Sequence, residues 1–329
     1  MSKRCVLGID IGGTKTLFGV FDEELRMLHE IKMKTQVGKG EKAFMKSVTI
    51  AVKALHEKVT RDRRSIVGIG VGVAGAVSVR GDEIVSSPNI PFLPRCGLRQ
   101  QLVKLTGKVA TFGNDCQLAL LAEHHIGAAV GERNIIGVFL GSGVGGALII
   151  DGHLHLGTGG YAGDLGHYLI DPIAPLAGSG RRGFLDDISS RTALSSEAAG
   201  LAAKQWAPYL FKTVGTDVGK IRSRQLAEAI EHGDKCIEDL VRSRMRTVGI
   251  VLSNFVDFMN PDMVLLGGGL VEAMPTLIRT EVKTAIKEHA TPNARKSVRV
   301  VTSKLKRHAV TTGGAKLAFD RLARGKEKN

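Results

Sequence analysis

A chain of 329 residues with 43% hydrophobic and 24% charged residues can bury one large core or two ordinary ones, which excludes a disordered or low-complexity protein. No window holds 18 uninterrupted apolar residues, and Cys5, Cys96, Cys116 and Cys236 are widely spaced with no C-x-x-C pair. A membrane-spanning helix, a disulfide framework and a zinc ribbon are therefore not expected, and a cytoplasmic protein with reduced thiols and no leader peptide is. The formal net charge of +14 invites nucleic acid, but Lys and Arg are spread along the chain and aromatics make up only 5%. A base-stacking platform is not expected, and the basic surface would instead attract small anionic ligands.

In chain order, residues 4–10, 16–21 and 25–34 read as a three-stranded meander. Residues 41–58 read as a helix with Phe44, Val48, Ala51, Leu55 and Val59 on one face. A glycine-rich buried strand follows at 66–73, then an irregular proline-bearing stretch at 78–97. A short helix at 98–105, a strand at 108–112 and a helix from Asn114 to about Ile126 come next. The strand–turn–strand grammar then restarts, with strands at 134–140 and 147–151 around a glycine turn at 141–146. Helices are expected at about 190–206, 223–232 and 234–259, the last ended by Asn260-Pro261. A strand at 263–266 feeds Gly267-Gly268-Gly269, and a strand at 298–301 and a helix at 310–322 close the chain. The shared grammar of the two halves suggests two related lobes around a cleft.

The first glycine turn carries the most chemistry. An apolar strand ends in Asp10, and Gly12, Gly13, Thr14 and Lys15 follow at once. In a tight hairpin the N–H groups of Gly12 and Gly13 can face an anion, with Thr14 and Lys15 as further donors. Asp10 stands where it could hold hydrated Mg²⁺ against that anion, which points to a metal-bound polyphosphate tail. The same residues also make an ordinary Gly-Gly hairpin, and the motif alone does not separate the two. Gly113-Asn114-Asp115, between a strand and a helix, is either an N-cap or a general base at the mouth of a cleft. Phosphoryl transfer to a hydroxyl needs a carboxylate in that second role, and Asp115 is the candidate.

Two G-x-G-x-x-G patterns, Gly70/Gly72/Gly75 and Gly141/Gly143/Gly146, imitate a dinucleotide fingerprint. That fingerprint needs a helix opening at its third glycine, whereas here residues 76–79 and 147–150 read as strands, so a Rossmann fold is rejected. A P-loop is rejected because no helix follows Gly13.

With these residues assembled, nearly the whole chain resembles the sugar kinases of the ROK family (repressors, ORFs, kinases). Asp10-Ile-Gly-Gly-Thr-Lys15 resembles the family's first phosphate motif, Gly141-Ser142-Gly143-Val-Gly-Gly146 its second, and Gly267-Gly268-Gly269 its adenosine motif. Asn114-Asp115 matches the pair with the catalytic base, and residues 140–167, ending in Gly166-His167, keep the family's spacing. The resemblance implies an α/β fold of the two-lobed, actin-like (ribonuclease-H-like) ATPase type with a central cleft. It implies that Gly12, Gly13, Thr14, Lys15, Gly141, Ser142 and Gly143 clamp the phosphates of ATP, with Mg²⁺ organised by Asp10. Asn89, Asn114 and Asp115 would hold sugar hydroxyls, and His167 would touch the anomeric end. A small lobe at 1–120 plus 308–329, a large lobe at 121–307 and a homodimer are expected.

The sequence departs from the family at the sugar loop. The usual glutamate three residues before His167 is Asp164, and the glutamate after the zinc cysteines, usually a sugar ligand, is Asp186. The three cysteines are replaced by Ala177, Ser179 and Phe184, so no structural zinc is expected. Glucose is the expected substrate, phosphorylated to glucose 6-phosphate. An N-acetylhexosamine kinase (N-acetylglucosamine or N-acetylmannosamine) and a non-catalytic sugar-sensing regulator are the alternatives, and inorganic polyphosphate remains open as donor. A DNA-binding repressor is not expected, since nine residues precede Asp10.

Overall fold

The computed structural model describes residues 3–173, 180 and 182–326. Strand β1 (Lys3–Ile11) is buried from Cys5 through Ile9 because apolar side chains fill both of its faces. Strands β2 (Lys15–Phe21) and β3 (Met27–Lys34) complete the expected antiparallel meander. Helix α1 (Gly40–Arg61) buries Phe44, Val48, Ala51, Val52, Leu55 and Val59, the anticipated face. Strand β4 (Arg64–Val73) runs parallel to β1. A two-stranded ribbon of β5 (Ala76–Val77) and β6 (Ile84–Ser86) follows, then α2 (Leu98–Thr106). Strand β7 (Ala110–Asn114) pairs parallel to β4 and runs straight into α3 (Asp115–Ile126). The sheet order is β3-β2-β1-β4-β7.

The second sheet repeats this order. Strands β8 (Ile135–Leu140), β9 (Val144–Ile150) and β10 (His153–His155) form the meander. After α4 (Leu185–Ser189), α5 (Arg191–Ala203), α6 (Pro208–Val214), α7 (Ser223–Glu231) and α8 (Lys235–Met259) comes β11 (Met263–Gly267), parallel to β8. Helices α9 (Gly269–Ala273), α10 (Pro275–His289) and α11 (Ala294–Ser297) lead to β12 (Arg299–Thr302), parallel to β11, and α12 (Ala309–Lys326) ends the described chain. The order β10-β9-β8-β11-β12 is that of the first sheet, element for element.

Among the described residues, those up to Gly127, Leu154–Ala162 and those from Arg307 onward form one compact unit; Ala128–His153 and Gly163–Lys306 form the other. The first unit packs α1 and α2 on one face of its sheet around Phe18, Phe44, Leu55 and Ile69. On the other face lies α12, with α3 beside it. In the second unit one large cluster joins β8 and β11 to the helices between Leu185 and Ala294, with Met245 and Val248 of α8 fully buried. At Gly249 an added Cβ would lie 2.6 Å from the Ala285 Cβ, so this glycine lets α8 and α10 approach closely.

Two differences from the sequence reading stand out. Helix α10 was not expected, although Pro275 at its start and Ile278, Val282, Ala285 and Ile286 on one face spell it out. The strand expected over 76–79 stops at Val77, because the Ser78 hydroxyl turns back to Asp82 and accepts the Asp82 and Glu83 N–H groups.

The glycines of the first G-x-G-x-x-G pattern are packing glycines. A Cβ at Gly70 would sit 1.8 Å from the Gly314 carbonyl oxygen, one at Gly72 2.3 Å from Val310, and one at Gly75 2.1 Å from the Ser86 carbonyl. Helix α12 thus lies against the backbone of β4. Its own Gly313 does the same toward α3, with a Cβ placed 1.9 Å from the Leu118 carbonyl oxygen.

Candidate active site

In the first unit three neighbouring strand ends bring the expected carboxylates to one edge of the sheet. Asp10 on β1 pairs across to Gly72 on β4, and Gly72 pairs to Gly113 on β7, two residues before Asp115. Neither intervening glycine has a side chain to separate the two carboxylates. Burial, then the Asp115 carboxylate, push the Asp10 carboxyl up to about 7, against the pull of Lys15. Burial raises Asp115 as well, opposed by the Cys116 N–H that donates to its Oδ1 at 2.9 Å. Asn114 is indeed the N-cap of α3: its Oδ1 accepts from Gln117 N–H at 3.1 Å and its Nδ2 donates to the Gly75 carbonyl. The capping role thus belongs to Asn114, and Asp115 is the first residue of α3 after it.

The first glycine turn differs in detail from the expectation. The Gly12 N–H is spent on the Lys15 carbonyl at 3.0 Å and so does not face a ligand. The N–H groups of Gly13 and Thr14 have no protein acceptor among the described residues. Thr35 braces the turn, its hydroxyl on the Gly12 carbonyl at 2.6 Å and its N–H on the Thr14 carbonyl. Neither Gly12 nor Gly13 has a positive φ. Close approach is the reason for Gly13, where a Cβ would lie 3.2 Å from that of Asn89. The turn, Asn89, Asn114 and Asp115 therefore belong to one unit, as do Asp10 and Lys15.

The second unit holds the remaining expected residues. The Gly141 N–H donates to the Gly143 carbonyl at 2.8 Å, which leaves the Ser142 and Gly143 N–H groups without a protein acceptor among the described residues. Asp186 Oδ1 accepts the Val144 N–H at 2.6 Å, and a Cβ at Gly143 would fall 2.7 Å from that oxygen. One oxygen of the expected sugar ligand therefore braces the glycine turn. Gly268, at φ 90°, places its backbone over the end of β8, where a Cβ would be 2.5 Å from the Leu140 carbonyl. The turns 141–143 and 267–269 are thus neighbours.

Asp164 also has a protein partner: its Oδ2 lies 2.9 Å from His167 Nδ1. An ionised carboxylate only accepts, so Nδ1 carries the proton and a neutral ring keeps Nε2 as an acceptor. Phe184 meets the His167 ring edge-on, with centroids 6.2 Å apart. Backbone bonds from Ile170 and Asp171 to the Gly183 carbonyl and from Leu185 to Tyr168 bring Phe184 there. Ala177 and Ser179 lie outside the described residues.

The implied metals fare differently. Zinc does not fit, since Phe184 presents a phenyl ring and Ala177 and Ser179 supply no thiolate. Mg²⁺ fits, since Asp10 and Asp115 are hard oxygen donors whose mutual repulsion a cation relieves. No cluster of three or more metal-ligating side chains occurs among the described residues. Mg²⁺ needs none, because it takes one or two carboxylates and completes its shell with water and phosphate.

The sequence reading missed the residues that hold the second turn. Thr192 Oγ1 donates to the Ser142 carbonyl at 2.7 Å, Arg191 N–H to the Gly141 carbonyl at 2.9 Å, and Arg191 Nη2 to Ser142 Oγ at 3.0 Å. The buried N-cap Ser190, which starts α5, was their one sequence signal.

Two sheets of one topology, each opening in a glycine hairpin, make this an α/β protein of the actin-like ATPase class. The chain belongs to the ROK family, whose model matches residues 6–321. It is 26% identical to a glucokinase of Thermotoga maritima over 98% of this chain and 99% of that protein. It is 28% identical to a glucokinase of Streptomyces coelicolor, covering 95% and 96% of the two chains. Among solved structures, a ROK family glucokinase from Streptomyces griseus in complex with glucose and AMPPNP aligns with a TM-score of 0.82 at 27% identity, over 96% of this chain and 99% of that one.

Proposed function

We propose that the protein is an ATP-dependent hexose kinase that converts glucose to glucose 6-phosphate in the cytoplasm, as the first step of glucose use, and acts as a homodimer. The observation that carries this reading is the half-buried Asp10–Asp115 carboxylate pair beside a glycine hairpin with free N–H groups. The whole-length similarity to glucokinases supports the choice of sugar. Asn89, Asn114, Asp164, His167 and Asp186 are assigned to the hexose. Gly12 to Lys15, Gly141 to Gly143 and Gly267 to Gly269 are assigned to the nucleotide. Asp115 takes the proton of the 6-hydroxyl as its oxygen bonds to the γ-phosphorus, the bond from that phosphorus to the β–γ bridging oxygen breaks, and ADP leaves. Asp10 would hold Mg²⁺, and the ion would supply neutralisation of charge on the phosphates when bound. His167, oriented by Asp164, offers Nε2 to a ring hydroxyl.

The test is ADP release with glucose, N-acetylglucosamine and N-acetylmannosamine, each with ATP or inorganic polyphosphate. Glucose with ATP is expected to give the highest kcat/KM. Asp115→Asn is expected to lose about 10²–10⁴-fold in kcat while glucose binding stays within about tenfold. An N-acetylated sugar ahead of glucose by tenfold would overturn the choice of sugar. Unimpaired turnover in Asp115→Asn would remove the catalytic base. No turnover with any pair of substrates would leave the sensing regulator in its place.

A further inference from the structure

The second glycine turn has a cation resting on it. Arg191 is the first residue of α5, and its Nη2 donates to the hydroxyl of exposed Ser142 at the tip of the turn. The other guanidinium bonds are long, from Nη1 to Ser195 Oγ at 3.5 Å and to the Ile221 carbonyl at 3.4 Å. All these partners are neutral, and among the described residues no carboxylate pairs with Arg191 or with Arg222. The second cation, Arg222, stands just before α7, close enough to disfavour charge on Arg191, which burial disfavours first. At the start of α7 the Ser223 hydroxyl lies 3.6 Å from where a Cβ of Gly269 would be. Arg191 thus stands at the turn at 141–143, and Arg222 near it directly precedes the residue that approaches the turn at 267–269, all within one unit.

Elsewhere this basic chain pairs its arginines readily, as with Arg242 on Glu238 and Glu281 and Arg244 on Glu197. A half-buried guanidinium beside another cation, with no acid, carries an electrostatic cost that an anion would relieve. A guanidinium has five donors in a planar fork that matches phosphate oxygens. The Ser142 and Gly143 N–H groups beside it also lack acceptors.

We propose that Arg191, seconded by Arg222, binds the phosphoric anhydride chain of the phosphoryl donor next to the second glycine turn. The proposal rests on the kinase reading and adds to it a residue that selects for donors with more than one phosphate. The contact is to the donor alone and leaves the sugar untouched.

Isothermal titration of the full chain with ADP, AMP and glucose, in the presence of Mg²⁺, tests this in the wild type, Arg191→Met and Arg191→Lys. Methionine keeps an unbranched apolar stem and removes the charge. ADP affinity is expected to fall about tenfold to a hundredfold in Arg191→Met, the range for a lost hydrogen bond to a charged group. AMP and glucose affinities should stay within about twofold, and Arg191→Lys should recover part of the ADP affinity. Unchanged ADP binding in Arg191→Met overturns the proposal. So does an equal loss for ADP, AMP and glucose, which is the mark of a structural role. A parallel comparison of KM for ATP and for inorganic polyphosphate identifies the chain bound: a rise confined to one donor in Arg191→Met assigns the contact to that donor. A wild type that binds neither ADP nor polyphosphate would overturn the kinase reading itself, and the proposal with it.

Discussion

Asp10 is where a requirement of the site conflicts with the stability of the fold. Its carboxyl has an ordinary value of 3.8 and is raised to about 7 by burial and by Asp115. A group whose folded value is raised binds its proton more tightly in the folded state. Its stabilising contribution is full below about pH 4 and is lost as pH rises toward 7. Asp10 is only half-buried, so the effect is held to about 1–2 kcal/mol, or a few degrees in Tm. Asp10→Asn should therefore melt higher than the wild type at pH 8 in EDTA, and much less so at pH 4, while losing turnover. A Tm difference that is the same at both pH values would contradict this. Asp10, Asp115 and the glycine turns were legible in the sequence because a turn of fixed chemistry is local. The partners of Asp164 and Asp186 were not. Both carboxylates were expected to face the sugar, and each has an oxygen on the protein, on His167 Nδ1 and on the Val144 N–H.

At the scale of elements, the position of α12 depends on glycines that no local pattern explains. Gly70 on β4 meets the Gly314 carbonyl, and Gly8 on β1 meets that of Thr311, where a Cβ would lie 2.0 Å away. Overpacking a side chain costs about 1–3 kcal/mol, and here the obstacle is backbone that cannot rotate aside. Gly70→Ala is expected to cost about 3 kcal/mol or more in urea unfolding. Gly200 on α5 is the control, since nothing lies within 4 Å of its Cβ position. Gly200→Ala should stabilise by about 0.5–1 kcal/mol through helix propensity. Equal and small effects for the two would show that the contact with α12 is not tight. The same sequence feature, a glycine in a G-x-G-x-x-G run, thus has two meanings. At Gly143 it makes room for the Asp186 carboxylate in the second glycine turn, and at Gly70 it lets a helix rest on a strand.

Over the whole molecule the expected chemistry needs one kind of metal and not the other. Protein purified without added metal should contain far less than one zinc per chain by elemental analysis. EDTA should leave its Tm in place, because the bonds of Gly183, Tyr168 and Leu185 hold the ends of the sugar loop without zinc. The same EDTA should abolish phosphoryl transfer, and Mg²⁺ alone should restore it. A stoichiometric zinc, or a fall in Tm on chelation, would contradict this account of Phe184. Among the described residues no helix is long and apolar enough to cross a membrane.

The sequence by itself determined the alternation of strands and helices, the two glycine hairpins and the candidate base. Each of these is written in contacts within a few residues: alternating burial, a turn that only small residues fit, a cap on a helix start. It also showed the same grammar in both halves, which became two sheets of identical strand order. Only the tertiary structure decided that residues 154–162 join the first unit, away from the chain on either side of them. It alone placed Arg191 on Ser142, Phe184 on His167 and Asp186 on Val144, pairs separated by 49, 17 and 42 residues. Such contacts form when packed helices and strands bring distant residues together, and no local propensity encodes them.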